Sequence, residues 1–396
     1  MLPRVERAWT DPSLAPPMAD VVVVGGGIIG CAAAAIMADR GAAVVLVEAS
    51  EIGAGASGRN LGAIQHPFDP VLAELHRESL TRYRALAAVS GDAFAIGDEP
   101  AGLLLLNRDG AAAAAQARRM RDAFPELAPK LIEADELPRL EPALAHGPAA
   151  VHLATGFPIP PAAATRAWAD LAVDRGVIVV VGSPGRPIVR GGRAVGVRLD
   201  EGVEIEAGAV LLAAGPWTPA LVDPTGGWRP IRPTWGVTLQ LRLDSGAPRH
   251  ILEEDELDAL NRAEAATARA AASADGDDPP SLFSMASAGG VTTLGSTFLA
   301  EEPDPARIGS LLLRRAAPFV PAVVEAELVG RRLCARPQSI DGRPFIGPLP
   351  AVSGLFVCAG HGPWGISTGP ASAAIAARAV LDGTPPPPQL AAGRPH

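Results

Sequence analysis

The first clear element of the hydrophobic pattern is residues 21–24, a short run with no polar position. Such a run is typical of a strand that is buried on both faces of a parallel sheet. Residues 31–40 are mostly small and apolar, which predicts a helix packed on that sheet, and Gly41 follows where a helix C-cap belongs. A second apolar run at 43–47 predicts another buried strand. The pattern therefore predicts a strand–helix–strand unit.

A similar pattern of apolar strands and helices of small residues occurs twice further along the chain. We expect helices and buried strands at 160–175, 177–181, 210–213, 355–359 and 370–381. Alternating strands are expected between 229 and 298, around an Ala- and acid-rich segment at 252–280 that is typical of a solvent-facing helix and loop. The sequence pattern at residues 321–328 favours a helix.

Glycines join the elements of the first unit. Gly25, Gly27 and Gly30 form G-x-G-x-x-G, and Glu48 lies 23 positions after the first glycine, at the end of the second strand. The first glycine allows a tight turn, the second lets backbone approach a diphosphate, and the third lets the helix pack on the strand. A carboxylate at the second strand end can accept hydrogen bonds from a ribose diol. These features predict an adenine-dinucleotide site.

Composition excludes several classes of protein. The chain has 396 residues, 19% charged and 48% hydrophobic, and a net charge of −9 without a basic stripe. We therefore expect no nucleic-acid partner and no membrane span, since no apolar run approaches about 20 residues. Three cysteines, far apart in sequence, predict buried thiols and a cytoplasmic protein. No cluster has metal-ligand spacing, so we expect no metal site.

Four segments resemble the flavin-dependent amino-acid and amine oxidase superfamily, which includes D-amino acid oxidase, glycine oxidase and sarcosine oxidase. They are, in family order, VVVVGGGIIG–VVLVE, GASGRNLGAI, VLLAAGPWT, and RPQSIDGRPFIGPLP–LFVCAGHGPWGISTGPASA. The resemblance implies an α/β fold, in which a Rossmann-like FAD-binding domain is assembled from discontinuous segments. An α+β substrate domain with a mixed β-sheet completes it. We predict a disordered leader (1–18), an FAD-binding domain (19–92, 150–228 and 326–385), a substrate domain (93–149 and 229–325) and a tail (386–396).

The resemblance implies noncovalent FAD, because the one candidate for a covalent link, Cys334, precedes the Arg-Pro of a motif found in noncovalent relatives. We expect Trp217 to serve packing rather than chemistry and His361 to position backbone rather than transfer protons. A turn at 360–365 leads into a helix whose N-terminus would face the flavin and favour its reduced anion. The cofactor-binding residues predicted are Gly25, Gly27, Ile28, Ile29, Gly30, Glu48, Ala49, Ala56, Ser57, Arg59, Asn60, Leu61, Gly62, Ala63, Gly185, Ala213, Gly215, Trp217, Gly360, His361, Gly362, Gly365, Ile366 and Ser367.

Arg336 matches the arginine that grips the substrate carboxylate in glycine oxidase. A planar guanidinium binds a carboxylate in bidentate fashion. The alternative is a structural ion pair, for example with Asp341. The other catalytic or pocket residues predicted are His66, Trp364 and His361, with Trp235 as a further wall.

The chain also departs from the family pattern. Pro363 and Trp364 replace the second cationic grip, and the loop arginine of sarcosine oxidase aligns near Gln65. The only lysine, Lys130, lies in no flavin motif, which favours a dehydrogenase over a fast oxidase. The electron acceptor stays open between O2, a quinone and a carrier protein.

The resemblance implies hydride transfer from the C–N bond of an amino acid or secondary amine to flavin N5, giving an imine that hydrolyses. His66 is a reserve base, although a neutral amine needs none. One alternative is a 2-hydroxy-acid dehydrogenase, in which His66 or His361 would be an essential base. Another is a flavin-carrying, non-catalytic or electron-relay subunit of a heteromeric dehydrogenase. A homo-oligomer is also compatible with the sequence.

Overall fold

The computed structural model describes residues 9–10, 15–244, 246–255 and 281–395. The predicted leader at 1–18 and the acid-rich segment at 252–280 lie mostly outside the described residues. Residues 252–254 are described, and there the predicted helix is wrong, because they end a strand of the second sheet. Leu252 and Glu253 are buried in that strand.

The first sheet has nine strands and a parallel centre. β2, β3 and β9 run parallel, and β12 joins β2 on its other side and continues in parallel to β19. Val21 and Val23 enter one hydrophobic cluster and Val22 and Val24 another, so both faces are covered as predicted. The strands are β1 (Trp9–Thr10), β2 (Met18–Val24), β3 (Val44–Val47), β9 (Ile178–Val180), β10 (Gly185–Arg190), β11 (Arg193–Leu199), β12 (Glu204–Leu212), β18 (Phe345–Pro348) and β19 (Leu355–Ala359).

Four helices form a layer on this sheet, namely α1 (Ile28–Asp39), α3 (Pro70–Ser90), α6 (Pro161–Asp174) and α9 (Gly365–Asp382). α1 can pack closely because most of its side chains are small, and eight of its twelve residues are buried. Asp69 caps α3 by accepting hydrogen bonds from the N–H groups of Val71 and Leu72. Among the described residues, no helix has both the length and the apolar character needed to cross a bilayer.

The second sheet has eight strands in the order β17-β13-β16-β15-β14-β5-β7-β6. All its pairs are antiparallel except β5 with β14, so the sheet is mixed as expected. The strands are β5 (Leu103–Asn107), β6 (Lys130–Ile132), β7 (Ala149–Leu153), β13 (Ile231–Arg242), β14 (Ile251–Glu254), β15 (Ser281–Ala288), β16 (Val291–Thr297) and β17 (Glu327–Ser339). β4 (Ala63–Ile64) pairs separately with β8 (Phe157–Pro158).

The remaining helices are α2 (Ala56–Arg59), α4 (Gly110–Ala123), α5 (Leu137–Leu140), α7 (Thr218–Val222) and α8 (Pro305–Ala316). α8 packs on the second sheet through Ile308 and Leu312. The predicted helical texture at 321–328 is wrong beyond a 3-10 turn at Pro321–Val324, because Glu327 begins β17.

The domain boundaries predicted from the sequence stay a proposal. Strand pairing suggests a different assignment for two segments. β7 and β17 fall in segments assigned to the FAD-binding domain, yet both pair in the second sheet. β17 pairs along nearly its whole length with β13, and this backbone ladder fixes its position more strongly than its nearness in sequence to β18. We therefore propose that 149–153 and 327–339 belong to the substrate domain.

Candidate active site

The carboxyl ends of the parallel strands open onto a cavity of about 640 Å³. This is where open α/β sheets bind ligands. β17 of the second sheet closes one side of the cavity with Cys334 and Arg336. The predicted cofactor residues that line it are Gly25, Gly27, Ile28, Ile29, Glu48, Ala49, Ala56, Ser57, Arg59, Asn60, Gly185, Ala213, Gly215, Trp217, His361, Gly362, Gly365 and Ile366.

The turn after β2 has no room for side chains. Gly25 has φ +115°, and a Cβ there would lie 2.5 Å from the carbonyl oxygen of Ala213. A Cβ at Gly30 would lie 1.9 Å from the carbonyl oxygen of Gly25, so α1 packs directly on the turn. Gly27 and Ile28 at the N-terminus of α1 line the cavity. Backbone N–H groups and the helix dipole at this point suit a diphosphate.

Glu48 leaves β3 beside this turn and is half-buried. Its Oε2 accepts a hydrogen bond from Gly26 N at 2.6 Å and its Oε1 accepts one from Ser50 N at 2.9 Å. Each carboxylate oxygen has a second acceptor position. The side chain is thus fixed at the cavity edge and can still accept hydrogen bonds from two ribose hydroxyls.

The loop after Glu48 is ordered by its own polar groups. Asn60 Nδ2 donates to the carbonyl oxygens of Ala56 and Ser57, and Asn60 Oδ1 accepts from Gly62 N. Gly62 supports the loop without lining a cavity: it has φ +83°, and a Cβ there would lie 2.4 Å from the carbonyl oxygen of Ile159. Trp217 is 58% exposed at the cavity rim, so it does not pack in the protein core, and its role beside the cofactor stays a prediction.

His361 lines the cavity and is 1% exposed, and neither ring nitrogen has a hydrogen-bond partner among the described residues. Burial lowers the pKa of His361 to about 3, which keeps the imidazole neutral. It precedes a 3-10 turn at Gly362–Trp364, after which Gly365 begins α9. Gly360 (φ +92°) allows the chain to turn here but lines neither cavity.

A small pocket of about 80 Å³ adjoins the cavity, and Arg59, Asn60, Cys334, Arg336, Pro363 and Ile366 line both. The second sheet forms its floor through Gly236, Thr238, Glu253, Ser284 and Ser296. Leu61, Ala63, Trp364 and Ser367, which were predicted from sequence, line this pocket. Gln65, Glu253, Ser284, Ser296 and Phe298 were not predicted as site residues.

Arg336 dominates the chemistry of the pocket. Its Nη2 donates to Ser296 Oγ at 2.6 Å and to the carbonyl oxygen of Thr297 at 2.9 Å, and its Cζ lies 4.6 Å above the ring centre of Phe298. Nη1 is buried and has no hydrogen-bond partner among the described residues. The alternative ion pair with Asp341 is wrong, because Asp341 binds Arg394 through two bonds of 2.9 Å.

His66 lies outside both cavities, contrary to its predicted place in the pocket. It is buried against Phe68, His76 and Phe124, and its Nδ1 accepts a hydrogen bond from Phe68 N. Burial lowers the pKa of His66. Trp235 also lines neither cavity. Lys130 is exposed on β6, at the far edge of the second sheet from β17.

A glycine turn, a carboxylate after the second strand and a cavity at the strand ends define a dinucleotide-binding protein. The chain belongs to the FAD-dependent oxidoreductase family, since the model of that family, described as FAD dependent oxidoreductase, matches residues 20–379. It is an enzyme, and its cofactor is FAD. A glycine oxidase from Pseudomonas aeruginosa is 29% identical over 392 residues, 94% of this chain and 99% of that protein.

A second relative matches over a shorter stretch. A tRNA 5-methylaminomethyl-2-thiouridine biosynthesis bifunctional protein from Nitrosospira multiformis is 43% identical over 86 residues, 22% of this chain and 12% of that longer protein. Two solved structures share the fold. Glycine oxidase from Bacillus cereus has a TM-score of 0.77 at 24% identity, covering 92% of this chain and 96% of that one. Iminodiacetate oxidase from Chelativorans sp. has a TM-score of 0.78 at 22% identity, covering 95% of this chain and all of that one.

The residues of this cavity fit FAD. The glycine turn leaves room for a diphosphate, Glu48 has spare acceptor positions, and the cavity continues to the second sheet. The buried ring of His361 has no hydrogen-bond partner within the described ranges, which is unfavourable unless a ligand contacts it.

Proposed function

We propose that this enzyme oxidises the C–N bond of a small amino acid or N-substituted amino acid. The observation that carries the proposal is the buried Nη1 of Arg336, which has no hydrogen-bond partner among the described residues and lies in a pocket continuous with the cofactor cavity. An unpaired buried guanidinium edge is unfavourable in an empty site and favourable with a carboxylate. The similarity to a glycine oxidase over nearly the whole chain supports this class of substrate.

Arg336 would hold the carboxylate in one orientation. Ser296 Oγ and Thr297 O fix the Nη2 side of the guanidinium, so the Nη1 side is left for the substrate. Phe298 supports the guanidinium plane from one face. This arrangement would position the carbon that carries the nitrogen, which lowers the entropic part of the barrier.

The turn from Gly25 to Gly30 and Glu48 would hold the adenosine diphosphate part of FAD, and residues 361–366 would face its ring. Bound FAD supplies a two-electron acceptor that takes a hydride from the carbon bearing nitrogen, leaving an imine that water hydrolyses. We propose noncovalent binding, because burial raises the pKa of the Cys334 thiol and keeps it protonated.

The substrate amine would lose its proton to solvent before oxidation. His361 is the only histidine among the described residues that line either cavity, and its pKa of about 3 makes it a weak base. The hydroxy-acid alternative requires a base for the hydroxyl proton, and His66 lies outside the site. The missing second cationic grip favours a non-catalytic subunit, but the match to the FAD-dependent oxidoreductase family and the Nη1 of Arg336, unpartnered among the described residues, favour an enzyme.

We also propose that the enzyme is cytoplasmic, since all three cysteines are free and buried. The electron acceptor stays open between O2, a quinone and a carrier protein. Lys130 is too remote in the second sheet to contact the cofactor cavity, which supports a dehydrogenase.

An anaerobic flavin-bleaching screen tests the proposal. Glycine, N-methylglycine, iminodiacetate, proline and larger amino acids are added to the FAD-loaded enzyme, with lactate and glycolate as hydroxy acids. We expect at least one amino acid to bleach the flavin and the hydroxy acids to leave it oxidised. Bleaching by hydroxy acids alone would contradict the proposal.

A further inference from the structure

A buried amide and a buried carboxylate meet on the side of the pocket formed by β14. Gln65 is 6% exposed and Glu253 is 5% exposed, and both line the small pocket. Gln65 Nε2 donates a hydrogen bond to Glu253 Oε1 at 2.9 Å. Gln65 Oε1 is buried and has no hydrogen-bond partner among the described residues. The backbone of Gln65 is fixed as well, since its N–H donates to Ser367 Oγ at 3.0 Å.

The chemistry of Glu253 determines the orientation of this amide. Glu253 Oε1 accepts from Gln65 Nε2, so the NH2 side of the Gln65 amide faces Glu253. The Oε1 side is therefore turned away from Glu253, and no group in the part of the chain that the structure describes donates a hydrogen bond to it. A buried acceptor in this state is unfavourable until a donor contacts it, and a ligand in the pocket can supply that donor.

The two sides of the pocket offer opposite hydrogen-bonding groups. The guanidinium of Arg336 donates to groups of β16, whereas Glu253 belongs to β14, two strands further along the sheet. Two strand spacings correspond to about 10 Å between backbones, and the side chains narrow that gap. One side therefore offers hydrogen-bond donors and the other an acceptor.

We propose that Gln65 Oε1 accepts a hydrogen bond from the substrate amine and that Glu253 is a positioning residue, which holds the Gln65 amide in the accepting orientation. This inference rests on the proposed function. The inference extends the proposed function, because it assigns selectivity for the amine to Gln65, a residue separate from the carboxylate-binding Arg336. The site would select acids that carry an N–H group over acids of equal size that carry a methyl group.

The test compares an amino acid with its methyl isostere. The pair is the amino acid found in the bleaching screen and the acid in which methyl replaces the amino group, of which glycine and propionate are the simplest example. The apparent Kd comes from anaerobic flavin reduction for the amino acid and from flavin absorbance changes for the isostere. Gln65→Met keeps side-chain volume and removes the acceptor.

For Gln65→Met we expect amino-acid binding to weaken about tenfold, while isostere binding and FAD content stay unchanged. Gln116→Met is the matched control, because Gln116 is a buried glutamine on α4 that accepts hydrogen bonds from Arg119, remote from both cavities. Equal weakening of both ligands, or no weakening of the amino acid, would overturn the inference.

Glu253 is tested by two variants. Glu253→Met removes the acceptor that orients the amide, so we expect the same loss of discrimination as in Gln65→Met. Glu253→Gln places an acceptor oxygen and a donor NH2 group beside Gln65, so it no longer enforces one orientation, and we expect a smaller loss of discrimination than in Glu253→Met, with FAD content unchanged. The double variant Gln65→Met/Glu253→Met should lose no more discrimination than Gln65→Met alone, because Glu253 acts through Gln65. Additive losses would overturn the positioning role.

The two proposals fail in distinguishable ways. If no amino acid bleaches the parent enzyme, the proposed function is wrong. If an amino acid bleaches it and Gln65→Met keeps the parent's preference for that amino acid over its isostere, only the further inference is wrong.

Discussion

The guanidinium of Arg336 occupies space that a side chain at Gly236 would fill. A Cβ at Gly236 would lie 2.5 Å from Nη2 of Arg336 and 2.9 Å from its Cζ. Gly236 is paired with Cys334 on the neighbouring strand, so the glycine lies beside the arginine on the floor of the pocket. Because Gly236 on β13 has no side chain, Arg336 on β17 can reach Ser296 and Thr297.

Gly236→Ala should displace this arginine without unfolding the enzyme, because the methyl group would meet the end of a long, flexible side chain. We expect turnover efficiency to fall at least about tenfold, as one charge-assisted bond is weakened, with FAD content unchanged. Gly110→Ala is the control, since nothing lies within 4 Å of a Cβ at that position. Unchanged efficiency in Gly236→Ala would contradict the role of the guanidinium position.

Arg336→Lys retains the positive charge and loses the planar donor edge. Loss of a hydrogen bond to a charged group costs about 1.5–3 kcal/mol, so we expect kcat/KM to fall about tenfold to a hundredfold. Steady-state kinetics and the flavin-to-protein ratio measure the two effects separately. Arg198→Lys on the exposed face of the first sheet is the control. Loss of flavin in Arg336→Lys would assign this arginine to the cofactor instead.

Glu48→Ala should weaken FAD binding while the chain stays folded. The carboxylate accepts hydrogen bonds from Gly26 and Ser50 and would accept two more from the ribose, so we expect the Kd for FAD to rise about tenfold to a hundredfold. Reconstitution of the apoenzyme with FAD, followed by flavin fluorescence, measures the Kd. Glu204→Ala on β12 is a matched acid outside the cavity. An unchanged Kd would place the ribose elsewhere.

The first sheet was predictable because its signals are local. Residues 21–24 are apolar without interruption since both faces are buried, and the glycines of the next turn are required by contacts within the same unit. β17 was not predicted as a strand of the second sheet. Arg331 lies on the same face of β17 as Leu333 and Ala335, and this charged residue interrupts the hydrophobic alternation expected of a half-buried strand.

The substrate side was less predictable because its contacts are distant in sequence. Gln65 and Glu253 are 188 positions apart, and neither position carries a motif. His66 was assigned to the pocket as a histidine next to a flavin-like loop. Gln65 lines the pocket, whereas the ring of the next residue, His66, packs against Phe124 outside it, and no local sequence signal distinguishes these two positions.

Acid should destabilise the protein through His361. Its pKa of about 3 in the folded state lies below its usual value of 6.5, so the unfolded chain binds more protons between these two pH values. The contribution of neutral His361 to the free energy of unfolding is fully present above pH 6.5 and is lost as the pH falls toward 3. At pH 5 the loss amounts to about 2 kcal/mol.

Thermal denaturation of the parent and of His361→Asn at pH 8 and pH 5 measures this effect. The difference in stability between the parent and His361→Asn at pH 8 measures the effect of the substitution on packing. The change in that difference between pH 8 and pH 5 measures the effect of His361 protonation. We expect the variant to lose less stability than the parent between pH 8 and pH 5. An equal loss in both proteins would show that His361 is not kept neutral by the fold.

The last prediction concerns the bond between protein and flavin. Cys334 lines both the cofactor cavity and the substrate pocket, so it is placed where a covalent link could form. A thiol must ionise to act as a nucleophile. Burial raises the pKa of the Cys334 thiol, and this outweighs the lowering by Arg336, Arg59 and Arg332. The thiol is therefore protonated at neutral pH, and we expect FAD to be held without a covalent bond.

Acid precipitation of the purified enzyme should release all flavin into the supernatant. Cys334→Ala should retain the same flavin-to-protein ratio and the same release, because the thiol contributes no bond to the cofactor. Cys358→Ala is the control, since Cys358 also lines the cofactor cavity and is buried. A yellow pellet from the parent that turns colourless in Cys334→Ala would establish a covalent link at Cys334. That result would also mean that nearby arginines overcome the effect of burial on the thiol once FAD is bound.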